Sequence, residues 1–184
     1  MSDSKTSPIP DSSFFVTLAH YNQWMNQKIY QICATIPDEE RKRDRGAFFK
    51  SIHSTLNHLL FGDLAWMGRF LDRRLTDKRI GEDLYDDFSE LQRARETWDD
   101  EILQWTKTLS SEWLNRSIVY VSRAYGRTRV LPAWLLVAHM FNHQTHHRGQ
   151  LTTLLTQAGY DIGSTDLPWM PSLEYSERSP DQQQ

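Results

Sequence analysis

The chain has 184 residues, 39% hydrophobic and 12% aromatic, which is enough apolar material to close one domain around a single core and too much for a disordered chain. Its formal net charge is -3, and the densest basic stretch, "RKRDR" from Arg41 to Arg45, contains an acid, so no nucleic acid is expected as a partner. Cys33 is the only cysteine, which excludes an intrachain disulfide and a thiolate metal cluster and suits a reducing compartment.

The N-terminal "MSDSKTSPIPDSS" lacks a basic start followed by an apolar run, and no stretch is apolar for long enough to cross a bilayer. A soluble, cytoplasmic protein without membrane contact is expected. Residues 1–11 read as a flexible tail. From Ser12 to Thr35, Phe14, Phe15, Leu18, Tyr21, Trp24, Met25, Ile29 and Ile32 recur at three- and four-residue steps, which predicts a first helix ending before Pro37. A second helix is expected from Ala47 to Leu71, where Phe48, Phe49, Ile52, Leu56, Leu59, Leu60, Leu64 and Met67 repeat the pattern. A third follows the polar stretch "DRRLTDKRIGEDLYDD" and runs from Phe88 to Leu109, its acidic start suited to the positive end of a helix dipole. Residues 115–130, "NRSIVYVSRAYGRTRV", read as an extended loop or a small hairpin. The fourth helix takes Pro132 as a first-turn residue and runs to Ala158, with Gly159 as its stop. Residues 12–171 therefore form one all-α domain, a four-helix bundle whose long connections leave room for a crossover, and 172–184 read as a disordered polar tip.

On the fourth helix His139, His143 and His147 stand four residues apart, with His146 beside them. Side chains at that spacing share a face with Cβ atoms about 5–6 Å apart, so two imidazoles can reach one cation. His58, in "LNHLLFGD" on the second helix, is the best third donor. A hydrogen-bonded polar seam in the core is the competing reading, and it is preferred for His20 and His53, which have no partner in register. Between Pro132 and Tyr160 there is no Asp or Glu, which excludes the carboxylate-rich di-iron bundles and leaves a mononuclear all-histidine site. Such a donor set suits one divalent transition-metal ion, Zn or Ni, and keeps coordination positions open.

"STLNHLLFGDLAWMGRFL" on the second helix, "LVAHMFNHQTHHRGQLTTLLTQAG" on the fourth, "HYNQWMN" near the start and "TDLPWM" after the fourth helix together resemble the DinB family of the DinB/YfiT-like metalloprotein superfamily. The resemblance covers residues 14–171. It implies a four-helix bundle with a crossover connection and a divalent metal held by His58, His143 and His147. It also implies a homodimer and a metal-dependent enzyme of the thiol-dependent transferase or hydrolase type, with a low-molecular-weight thiol as a candidate small-molecule partner. The alternatives are a non-catalytic metal-binding bundle, closed by a fourth ligand such as His139, and an oligomerisation module.

Neighbouring residues are read more plainly. His139 lines the cavity or acts as a base beside the ligands, or is simply a hydrogen-bonded core residue. His146 is a seam or interface residue. Arg148 either supports the site or, as the preferred reading, forms a salt link; with Gln150 it would fasten the fourth helix to the tail. Gly149 permits close helix approach, and Asp63 is a structural hydrogen-bond acceptor. Trp24, Trp66 and Trp134 are core, and Trp169 is a candidate to fold over the bundle mouth.

Overall fold

The computed structural model describes residues 10–122 and 126–173. Helix α1, Ser12–Ala34, is capped by Asp11, whose carboxylate accepts from the Ser13 and Phe14 amides at 2.9 and 3.3 Å. Asp11 thus belongs to the first helix and not to a tail. Most of the expected tail residues, 1–9 and 174–184, lie outside the described residues. A short α2, Asp38–Lys42, follows.

Helix α3 spans Ile52–Phe70, five residues shorter at its start than the apolar period predicts. Lys50 takes a positive φ of 65° and Ala47 pairs with it in an isolated bridge, a tight turn that no helix can continue through. Ser51 then caps α3 by accepting from the Ser54 amide at 3.0 Å. Helix α4, Phe88–Lys107, starts at an Asp87 cap, and a short α5, Ser111–Asn115, leads into strands β1, Ser117–Val121, and β2, Thr128–Pro132. These two strands pair antiparallel, so the 115–130 segment is a hairpin. Pro132 is the extended residue before α6, Ala133–Gln157, rather than its first turn. Gly159, at φ 87°, ends that helix in the left-handed conformation open to glycine. Among the described residues no helix is long and apolar enough to cross a membrane.

The long helices α1, α3, α4 and α6 form the bundle. Helix α1 packs against α4 and α6, and α3 packs against α6 and α4. Consecutive long helices α1 and α3 are therefore diagonal, as are α4 and α6. The chain crosses the bundle twice, once through α2 and once through α5 and the hairpin.

Two apolar clusters fill the interior. One contains Met25, Ile29, Leu56, Leu60, Leu91 and Leu155; the other contains Phe15, Met67, Ile102, Leu136 and Met140. Each such fully buried side chain contributes about 1.5–3 kcal/mol relative to exposure. Between the clusters every long helix contributes polar groups: Asn22 and Asn26 from α1, Asp63 from α3, Arg95 and Asp99 from α4, Gln144 and Arg148 from α6, all buried. Arg95 donates to Asp63 at 2.6 Å and lies 3.0 Å from Asp99, Asn26 donates to Asp99 at 2.9 Å, and Gln144 donates to Asp63 at 2.5 Å. Asp63 is the acceptor its position suggested. Arg95 Nε and Gln144 Oε1 have no partner among the described residues, but the bonds that are made join all four long helices and so constrain how they align.

Candidate metal centre

His58 on α3 and His143 and His147 on α6 meet at the level of this polar layer. Their Nε2 atoms converge: His58 to His147 is 3.1 Å and His147 to His143 is 3.1 Å. Among the described residues these three are the group of His, Cys, Asp or Glu side chains whose ligand atoms lie close enough together to hold a metal ion. Nitrogens sharing a cation at about 2.0–2.1 Å each lie about 3–3.5 Å apart, so the spacing fits one ion.

The proton arrangement fits as well. His147 Nδ1 donates to Gln150 Oε1 at 2.8 Å, which leaves its Nε2 with a lone pair directed at the other two rings. The Nδ1 atoms of His58 and His143 are buried and have no partner among the described residues, so neither ring is tied into the protein through its second nitrogen. Burial, and then the neighbouring imidazoles, push the His58 pKa down to about 3 and that of His143 to about 4, while burial lowers His147. Neutral imidazoles whose Nε2 atoms converge are a donor set suited to a soft or borderline cation.

The surroundings hold the rings in place. Phe49 stacks on His58 with ring centroids 3.8 Å apart and meets His147 edge-on at 5.5 Å. The turn that shortens α3 is what carries Phe49 there. Gln144, one residue past His143, donates to the Leu59 carbonyl at 2.9 Å and to Asp63, pinning α6 to α3 beside His58. Asn57 accepts from the Leu84 and Tyr85 amides at 2.8 and 3.0 Å, which fixes the incoming loop against α3. None of these supports was singled out from the sequence, although Asn57 and Gln144 sit inside the stretches that carry the histidines.

Gly62 is the close-approach glycine, and Gly149 is not: a Cβ on Gly62 would lie 2.8 Å from His143 Cε1, whereas one on Gly149 would meet nothing. Gly62→Ala is expected to displace the His143 ring and weaken metal binding about 10–100-fold with the helix content intact, as measured by titration under competing chelator and by circular dichroism. Gly149→Ala should leave the affinity unchanged.

Other expected site residues are rearranged. Arg148 turns away from the histidines, donates to Asn22 Oδ1, and stacks over Tyr21 at 5.3 Å, so it ties α6 to α1 and neither supports the site nor reaches the tail. The link to the segment after α6 comes instead from Tyr21, which donates to the Thr165 carbonyl at 2.6 Å. Gln150 serves His147 rather than the tail. Trp169 is 60% exposed and does not cover the bundle mouth. His53 is a buried core residue bonded to the Tyr85 carbonyl at 2.9 Å. His146 is exposed beside His147.

His139 is not a packed core residue. Its ring stands edge-on to Trp66 at 5.0 Å and 6.0 Å from His143, and it lines a cavity of about 580 Å³ together with His58 and His143. Burial lowers its pKa, so it is neutral near pH 7. The three-histidine cluster thus has packed aromatic and amide supports on one side and open space on the other.

A crossover four-helix bundle with three convergent histidines at mid-height defines a narrow class. The model of the DinB family matches residues 1–182, and this chain belongs to that family. It is 30% identical over 162 residues to Protein DinB of Bacillus subtilis (strain 168), a match covering 84% of this chain and 92% of that one. Two solved structures share the fold. One is a DinB-like protein from Bacillus cereus ATCC 10987, with TM-score 0.57, 15% identity, and 77% of this chain and 90% of that chain covered. The other is YfiT from Bacillus subtilis, with TM-score 0.56, 13% identity, and 87% and 92% covered, described as a probable metal-dependent hydrolase with an unusual four-helix bundle topology.

Proposed function

We propose that His58, His143 and His147 hold one divalent transition-metal ion, Zn or Ni, and that the centre is catalytic, in a metal-dependent hydrolase or a thiol-dependent transferase. The observation that carries this reading is the convergence of three imidazole Nε2 atoms beside a 580 Å³ cavity, with no fourth protein donor in reach among the described residues. A structural site would be closed by a fourth ligand, and His139, the candidate for that role, faces Trp66 and the cavity instead. The description of YfiT as a probable metal-dependent hydrolase supports the same reading.

A bound ion of this kind supplies a Lewis acid with open positions, able to polarise an oxygen or to ionise a thiol. The chain's own groups do the rest. Phe49 and the apolar wall exclude water from one side of the ligands. Gln150 holds His147 in the tautomer that keeps its Nε2 unprotonated. His139, neutral and facing the cavity, is placed to accept a proton from a reactant there. The test is elemental analysis of protein purified without a nickel column, followed by a turnover screen with low-molecular-weight thiols, electrophiles, simple esters and amides. About one equivalent of Zn or Ni and a metal-dependent turnover are expected; under about 0.2 equivalents after reconstitution would sink the proposal.

Acid should empty and loosen the site. The unfolded histidines titrate near about 6.5, and the folded values of His58 and His143 are about 3 and about 4, so folding favours the neutral rings. This stability is therefore fully present above about pH 6.5 and is lost as pH falls through the folded values. Melting temperature should drop over pH 6.5 to 4, more steeply in metal-loaded than in chelated protein. Equal pH responses with and without chelator would count against a metal at these residues.

We also propose a homodimer. The outer face of the hairpin carries Val119, Val121 and Val130, 58–65% exposed, and Phe48 is 83% exposed nearby in sequence to the site turn. Exposed apolar clusters of this kind are often covered by a partner. Light scattering at micromolar concentration should give twice the chain mass, and Val119→Lys with Val130→Lys should halve it.

A further inference from the structure

The cavity beside the histidines has an electrostatic character that the metal reading does not use. Three arginines, Arg69, Arg127 and Arg129, line it, and among the described residues no Asp or Glu does, although the chain as a whole is net negative at -3. The hairpin arranges this by its two-residue period. Tyr120 pairs with Arg129 across the strands, so Tyr120, Ser122, Arg127 and Arg129 fall on the face toward the cavity while the valines face outward. Arg127 and Arg129 form no ion pair among the described residues. From Trp113 through Tyr160 the sequence contains no acid to neutralise them.

Arg69 is fixed from below. It donates to the Ala65 carbonyl at 2.6 Å, and its guanidinium lies over Trp66 at 4.8 Å and Tyr120 at 5.7 Å. A stacked guanidinium is held in one plane, which suits it to a planar anion. From His143 the path to Arg69 is three contacts long, through His139 at 6.0 Å, Trp66 at 5.0 Å and the guanidinium at 4.8 Å. Along that path the cavity runs from the nitrogen donors of His143 and His139, past Trp66, to the Arg69 guanidinium, which also lies over Tyr120, the strand partner of Arg129; Ile80 and Arg127 line the same cavity.

We propose that the cavity takes small organic carboxylates, with the apolar body on Trp66, Tyr120 and Ile80 and the carboxylate on Arg69, Arg127 and Arg129. This names the substrate class for the functional reading above and rests on it only for which end reacts. A carboxylate on the arginines leaves the opposite end of the molecule at the histidines, so the substrate's reacting group is remote from its charge.

The test compares 3-phenylpropionate with its neutral isostere 3-phenylpropanamide by calorimetry, on the full chain, both chelated and zinc-loaded. The chelated protein matters because a carboxylate can also bind a metal directly. The acid should bind chelated protein at least about tenfold more tightly than the amide, since charge-assisted hydrogen bonds to guanidinium exceed neutral ones. Added salt should weaken the acid and spare the amide. The R127Q/R129Q double variant, at two exposed positions, should keep its fold and metal content while the acid-to-amide ratio in chelated protein falls towards one. His58→Ala should keep the ratio, so a failure of the metal reading would leave this result standing. Equal binding of acid and amide to chelated protein, or an unchanged ratio in R127Q/R129Q, overturns the proposal.

Discussion

Alanine at His58, His143 or His147 is expected to abolish metal retention and, with it, one shared activity. Each change deletes a donor that no neighbour can replace, because His139 is directed at Trp66 and His146 is exposed. Two imidazoles hold an ion far less well than three convergent ones. Gln150→Ala sets the scale below this. It frees the His147 ring without removing a ligand and should cost about 10–100-fold in metal affinity. His139→Ala should leave the metal content at one equivalent and lower turnover only. Equilibrium dialysis against a zinc chelator separates these classes, and a ligand variant that still retained a full equivalent would remove that histidine from the set.

Arg95→Ala should be the most damaging change outside the centre. Arg95 is 1% exposed and bridges Asp63 and Asp99, so its loss leaves two buried carboxylates facing one another without a cation. Breaking a buried pair from one side costs about 3–5 kcal/mol. For a chain of this size that is a melting-point fall of about 6–20 °C. Burial already raises the Asp99 pKa to about 6 against the pull of Arg95, and burial raises Asp63 in the same direction. Without the guanidinium both carboxyls should favour protonation still more. The deficit relative to the parent should therefore be largest near neutral pH and shrink as pH falls below about 6, the reverse of the trend for the histidines. A pH-independent deficit in calorimetric scans would mean that packing, and not charge, is what Arg95 supplies.

The four long helices were legible in the sequence because their apolar residues recur at helical spacing, and the histidines on α6 because four-residue steps share a face. His58 was legible as the third member from its place on the second helix. The turn at Ala47–Ser51 was not, because Phe48 and Phe49 continue the apolar period through it and nothing in the residue types announces the positive φ of Lys50. The polar layer was hidden for the opposite reason. Asn22 and Asn26, and Arg95 and Asp99, repeat every four residues on inward faces, yet such residues usually mark solvent. Their partners lie on other helices, and periodicity along one helix carries no information about its neighbour. Arg148 was misassigned for that reason: its partner Asn22 is 126 residues away. The cavity arginines needed the hairpin register, which was open between loop and hairpin until the strands were placed.

The double crossing of the chain has a consequence for how many threadings its apolar stripes would tolerate. In a plain up-and-down bundle each helix flanks the next, so α3 and α6 would sit corner to corner, and so would α1 and α4. His58 would then face away from His143 and His147, Gln144 would lose Asp63, and Asn26 would lose Asp99. The apolar stripes alone could pack either way, but the cross-helix hydrogen bonds at mid-height form in only one of the two. Connectivity and the histidine cluster are thus a single property of this chain: a variant that relaxed the polar layer into leucine would gain alternatives for its backbone path, and most of those paths would not bring the three histidines together.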